Sequence, residues 1–193
     1  MSAAQRVFGA LVAFASLVGL ALGSVGCGGS DTPPPGFVRF ADHGLLLDYP
    51  AAWRKEDVRM EAGGEAAGTK LNIVRPSHAP GINLCVTLFR QKREYPDIAK
   101  YGKDAARTRP FALPEGRAVS DGPLSVPGAS DGGWTVTTDF FTEDSNRRRL
   151  PARAVDVLAL RGDEQFRLTI AGPRDELEHS PEIAAIRKSL RVG

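Results

Sequence analysis

The residues of this chain that could carry chemistry are few and scattered: Cys27 and Cys85, His43, His78 and His179, and short clusters of carboxylates and arginines. Asp175, Glu176, Glu178 and His179 are close enough in sequence to offer oxygen and nitrogen ligands to a metal ion. An acidic run leading into a helix start accounts for the same four residues with nothing bound. The three histidines fall in a turn, a proline-flanked loop and a helix approach, with no spacing that would bring them together. Arg161-Gly162-Asp163 spells an adhesion tripeptide, yet Gly-Asp between two strands is also what a tight hairpin turn demands. The chain has no Gly-x-Ser-x-Gly elbow, glycine-rich phosphate loop, His-Glu-x-x-His or Cys-x-x-Cys pair. The expectation is a protein without catalytic residues and without a cofactor.

Cys27 is the exception, because its surroundings suit a modification. Arg6 gives a short positive start, and Val7 to Leu22 is an uncharged run of 16 residues rich in Val, Leu, Phe and Ala. A permanent membrane-crossing helix needs roughly 20 such residues, so residues 1–26 read as a signal peptide. Ser24-Val25-Gly26-Cys27 resembles the lipobox of bacterial lipoproteins, in which the cysteine thiol is acylated and becomes the new N-terminus. That box usually carries Leu where this chain has Ser24. Ser24-Val25-Gly26 also suits ordinary signal peptidase as a small-x-small site, which would give a secreted chain beginning at Cys27. Residues 27–36, Gly28-Gly29-Ser30-Asp31-Thr32 followed by three prolines and Gly36, read as a flexible then stiffer tether. Each buried acyl CH₂ contributes about 0.8 kcal/mol, so two or three chains attach a protein stably. Gly28 lacks the Asp that commonly retains lipoproteins at an inner membrane, which favours the periplasmic face of an outer membrane.

Composition excludes other partners. Lys and Arg number 25 against 23 Asp and Glu, net +2, and Arg6 is the only charged residue before Cys27. A near-neutral chain has no long-range field to steer it to nucleic acid. Arg147-Arg148-Arg149 with Arg153 is the one basic concentration, and it reads as a solvated loop between strands. If Cys27 is lipidated, Cys85 has no disulfide partner and the core must stand unaided. Cys85 lies within a strand at 82–89, on the face opposite Ile82, Leu84, Val86 and Leu88, and reads as a buried structural thiol.

The elements that would position these residues are mostly strands. Phe37–Phe40 and Leu45–Tyr49 flank a turn at Asp42-His43-Gly44, and a strand at Lys70–Val74 follows a Gly/Ala/Glu-rich loop at Glu61–Gly68. A helix is expected from Pro96-Asp97 through Ala106, with Ile98, Tyr101 and Ala105 on one side. Pro114 to Asp131 reads as a loop. Gly133–Phe141, Ala154–Leu160 and Gln165–Ile170 form a meander whose short connections imply antiparallel pairing. Ser180-Pro181-Glu182 is a helix start, and Ile183, Ile186 and Leu190 make the stripe that packs that helix on the sheet.

Gly44-Leu45-Leu46-Leu47-Asp48-Tyr49-Pro50-Ala51-Ala52-Trp53 resembles the hydrophobic strand, Tyr-Pro, two residues and Trp that open PsbP-like domains. The end of the chain is similar too: strand Phe166–Ile170, acidic segment Pro173 to Leu177, and a final helix with Ser189-Leu190. The resemblance implies an α+β fold at 37–193, a single α-β-α sandwich around an antiparallel sheet. It also implies kinship with DcrB-like bacterial lipoproteins and no shared catalytic residues. Tyr49 and Trp53 are then either core aromatics or the floor of a groove, and Trp134 reads as packing. The resulting expectation is a membrane-anchored envelope lipoprotein that binds or helps assemble another envelope protein. The alternatives are a carrier or chaperone-like adaptor shielding an apolar segment or small ligand, and an envelope hydrolase with an unrecognised site.

Overall fold

Antiparallel pairing organises most of the chain. The computed structural model describes residues 32–42, 44–59, 69–76, 85–144 and 146–193. Cys27, His43, His78 and the Glu61–Gly68 segment lie outside them.

Strands β1 (Phe37–Asp42) and β2 (Leu45–Pro50) pair antiparallel, Phe37 opposite Pro50 and Asp42 opposite Leu45. β3 (Arg54–Arg59), β4 (Thr69–Val74) and β5 (Cys85–Lys92) follow. Helix α1 (Ile98–Thr108) starts where Asp97 accepts the Lys100 N–H at 2.7 Å. It ends as Pro110 turns the chain into a short 3₁₀ segment at Arg109–Ala112. Then come β6 (Arg117–Leu124), β7 (Gly133–Glu143), β8 (Arg149–Arg161), β9 (Glu164–Pro173), helices α2 (Arg174–His179) and α3 (Pro181–Ser189), and β10 (Arg191–Val192). The large sheet runs β3-β4-β5-β9-β8-β7-β6 and a small one β1-β2-β10.

The two faces of the large sheet bury different partners. Val155, Val157, Ala159, Phe166, Leu168 and Ile170 point into the main core, where Leu45 and Leu47 of the small sheet and Ile183 and Ile186 of α3 meet them. Leu158, Leu160 and Val136 point the other way and pack under Ile98, Tyr101 and Ala105 of α1. The layers are thus helix, sheet, then small sheet with helix, an α+β sandwich. α3 is seated as its sequence implies: the Ser180 hydroxyl accepts the Ile183 N–H at 3.3 Å. The Arg161-Gly162-Asp163 turn joins β8 and β9, with Gly162 at φ +56°.

Three expectations need correction. The segment Pro114 to Asp131 is not all loop, because it contains β6, an edge strand whose residues are mostly exposed and so show no alternation. Arg149 and Arg153 are not in a solvated loop. They belong to β8, and Arg153 is ion-paired to Asp139 and Glu178. Cys85 is half-buried rather than enclosed, since α1 packs over β6, β7 and β8 while the same face at Thr87 and Phe89 of β5 and Thr169 of β9 stays half-exposed.

Candidate functional site

One corner of the molecule is built outward. Arg54, Val74, Cys85, Ala171, Ala154, Thr138 and Ala118 form a paired row across the large sheet. Beyond that row β6 pairs with β7 as far as Asp139 and β9 with β8 as far as Ala152, after which β7 and β8 continue as a two-stranded ribbon to Glu143 and Arg149. The ribbon is braced from the side, where the Phe141 N–H donates to the Pro114 carbonyl at 3.1 Å. Arg149 stacks its guanidinium 4.2 Å from the Phe141 ring centroid and pairs with Glu115 at 2.6 Å. The turn at the tip is tied by Asp144. Its carboxylate accepts the Arg148 and Asn146 N–H groups at 2.9 and 2.8 Å and the Arg148 Nε at 2.7 Å. The Arg148 N–H in particular holds the Asp144 carboxyl below its usual range.

Phe111, on the 3₁₀ segment that packs against β6 and β7, has 88% of its surface exposed. Phe141 is 38% exposed. Arg147 takes φ +60° and has no ion pair among the described residues. An exposed phenylalanine on a short helical turn that packs against β6 and β7 presents an apolar anchor to another surface. This is the strongest candidate site, and sequence reading missed it. The available signal was Pro110-Phe111-Ala112-Leu113-Pro114, three apolar residues between two prolines that no α-helix or strand can absorb.

Some of the polar residues under α1 hold it in place, while the buried Arg167 Nε has no hydrogen-bond partner among the described residues. Asp156, 1% exposed, accepts the Arg109 Nε at 2.9 Å and the Thr169 hydroxyl at 2.5 Å. Tyr101 stacks on Tyr95 with ring centroids 4.7 Å apart and lies 6.0 Å from the Arg167 guanidinium. The Tyr95 hydroxyl donates to Asp104 at 2.7 Å, and that carboxylate pushes its pKa up to about 12.

The sequence-predicted residues do not converge. Trp53 is 5% exposed within the main core, and Tyr49 is half-buried against it. Trp134 packs beside α1, its Nε1 donating to Asp121 at 3.2 Å. In α2, Glu176 pairs with Arg75 and Glu178 with Arg153. The His179 Nδ1 lies 2.9 Å from the Asp175 carbonyl. Among the described residues no group of His, Cys, Asp and Glu could hold a metal ion. Cys27, the modification candidate, lies outside the described residues.

A concavity lies between α3 and the chain joining β6 to β7. Its volume is about 420 Å³, with Val157 of β8 at its floor.

No family model matches the chain, and a search of curated proteins finds no match. Among solved structures it is similar to cyanobacterial PsbP (CyanoP) from Synechocystis sp. PCC 6803, at a TM-score of 0.55 and 11% identity, covering 89% of this chain and 100% of that one. It is also similar to LpqN, described as involved in cell envelope biogenesis of Mycobacterium tuberculosis, at a TM-score of 0.51 and 16% identity, covering 80% of this chain and 88% of that one. At such identities the likeness is one of fold, and the fold is PsbP-like.

Proposed function

We propose that this chain is an envelope lipoprotein of the DcrB-like kind, held to a membrane through acylated Cys27, whose folded head is a non-catalytic docking module for another envelope protein. The observation that carries the reading is Phe111. It is the most exposed of the described large apolar side chains, with 88% of its surface in water, and the Arg149–Phe141 stack holds a second exposed aromatic on β7, the strand its 3₁₀ segment packs against. Aromatics and arginines are the residue types that concentrate binding energy at protein interfaces. Another feature agrees with this reading: the fold is shared with LpqN, whose description places it in envelope biogenesis. Among the described residues no helix is long and apolar enough to cross a membrane.

The test is substitution of the anchor. Phe111→Asp should leave the melting temperature within about a degree, because so exposed a residue contributes little to the core. Recovery of the partner after chemical crosslinking of intact envelopes should fall at least about tenfold, the loss of one interface anchor. Unchanged recovery of the same crosslinked species would reject Phe111 as the docking point.

A further inference from the structure

We propose that the cleft between α3 and the β6–β7 connection binds an amphipathic anion, an acyl chain that ends in a carboxylate or a phosphate. The cleft is distinct from the Phe111 corner, and its occupancy does not depend on the docking role. Its walls are apolar, with Leu124 ending β6, Val126 and Pro127 on the connecting chain, Ala184 on α3 and Leu190 just after it. Its volume of about 420 Å³ falls within the roughly 300–1,000 Å³ of small-molecule sites.

The walls are held in place. The Val192 N–H donates to the Pro127 carbonyl at 2.9 Å, and the Ser130 N–H to the Leu160 carbonyl at 2.8 Å. Between them Gly128 takes φ +84° with its α carbon pressed so close to the Val192 carbonyl that a β carbon would fall 1.6 Å from the oxygen. No other residue fits there, so the connection is clamped onto β10 and the cleft keeps its width without a ligand.

The rim is cationic. Arg187 and Lys188 line the cleft, and neither has an ion pair among the described residues, although most arginines near the sheet ends are matched to carboxylates. The C-terminal end of a helix carries roughly half a negative charge, and the Ser189 hydroxyl already donates to the Ile186 carbonyl at 2.9 Å. Two full positive charges exceed what that helix end can neutralise. An apolar trough that opens beneath two unmatched cations is complementary to a ligand with an apolar body and an anionic head. A purely apolar ligand would leave the cations unused, and a small hydrophilic anion would leave half-buried Leu124 and exposed Pro127 and Ala184 uncovered. The chain supplies affinity through buried area, about 25 cal/mol per Å², and the head sets orientation.

The experiment uses the full chain carrying Cys27→Ser, so that no covalent acyl group competes. It is titrated by calorimetry with dodecanoate, dodecyl phosphate and uncharged dodecanol, each below its micellar concentration. The expected result is saturable binding of at least one of the anions at one site per chain. A preference between the two separates a fatty acid from a phosphorylated lipid as the source. Arg187→Gln with Lys188→Gln should weaken the anions about tenfold or more, the value of a charged hydrogen bond, and leave dodecanol unchanged. Ala184→Trp, at an exposed position of α3, should abolish binding of all three, with the fold checked by its melting curve. No saturable binding of either anion, equal weakening of dodecanol by the charge substitutions, or undiminished binding to Ala184→Trp would each overturn the proposal.

Discussion

Gly102 of α1 lies against the face of Trp134, so close that a β carbon there would fall 2.1 Å from the ring Cγ and 2.3 Å from Cδ1. The glycine lets the helix settle onto β7 and bury Tyr101 beside it. Gly102→Ala should therefore destabilise the protein even though alanine is the better helix former by about 1 kcal/mol. Overpacking against an indole costs about 1–3 kcal/mol, and so close an approach lies at the upper end, so the net loss should be about 2 kcal/mol and the melting temperature several degrees lower. Gly122→Ala, where a β carbon meets nothing within 4 Å, should leave the melting temperature unchanged.

Trp53 belongs to the main core, and its truncation should read as a cavity. Trp53→Ala is expected to cost about 3–5 kcal/mol in denaturant unfolding. A mutant of unchanged stability would mean that the indole serves a surface instead.

The Tyr95–Asp104 pair makes a pH prediction. The Tyr95 pKa is raised from 10.0 to about 12 by the carboxylate its hydroxyl donates to. A group whose folded pKa is raised adds stability that is fully present below the unfolded value and is lost as pH rises through the folded one. The loss should fall between pH 10 and about 12. Asp104 is shifted the opposite way, held below 3.8 by Tyr95 and then by Arg107. Its contribution is present above pH 3.8 and is lost as pH falls below that value. Absorbance titration at alkaline pH should show the high-pH phenol disappear in Tyr95→Phe. In Asp104→Asn it should move down towards pH 10.

Anchoring is tested at its single reactive atom. Cys27→Ser should move the protein from the membrane pellet to the soluble fraction and abolish incorporation of labelled palmitate. Persistent labelling would remove Cys27 from the account.

What the sequence made legible follows physical lines. The final helix was readable because Ser180, Pro181 and Glu182 act locally, and the β7–β8–β9 meander because those strands face the core on alternate residues. β3 and β6 were not readable. Arg54-Lys55-Glu56-Asp57 is a charged edge with little to alternate, and Gly122-Pro123 interrupts β6 where an edge strand tolerates both residues. Alternation on β5 did identify the two faces of Cys85 and Val86. It could not say that α1 stops at β8 and leaves the Cys85 side half-exposed. The α3 cleft was invisible for a related reason, since it arises where segments far apart in sequence meet, whereas Phe111 between Pro110 and Pro114 left a local signal that went unread.

The most direct test of the docking claim places a photo-crosslinking amino acid at position 111, and in a separate strain at exposed Arg161 at the opposite end of β8, followed by irradiation of intact envelopes. The account predicts a discrete crosslinked envelope protein from position 111 and none from position 161. Indistinguishable crosslinking at the two positions would contradict it.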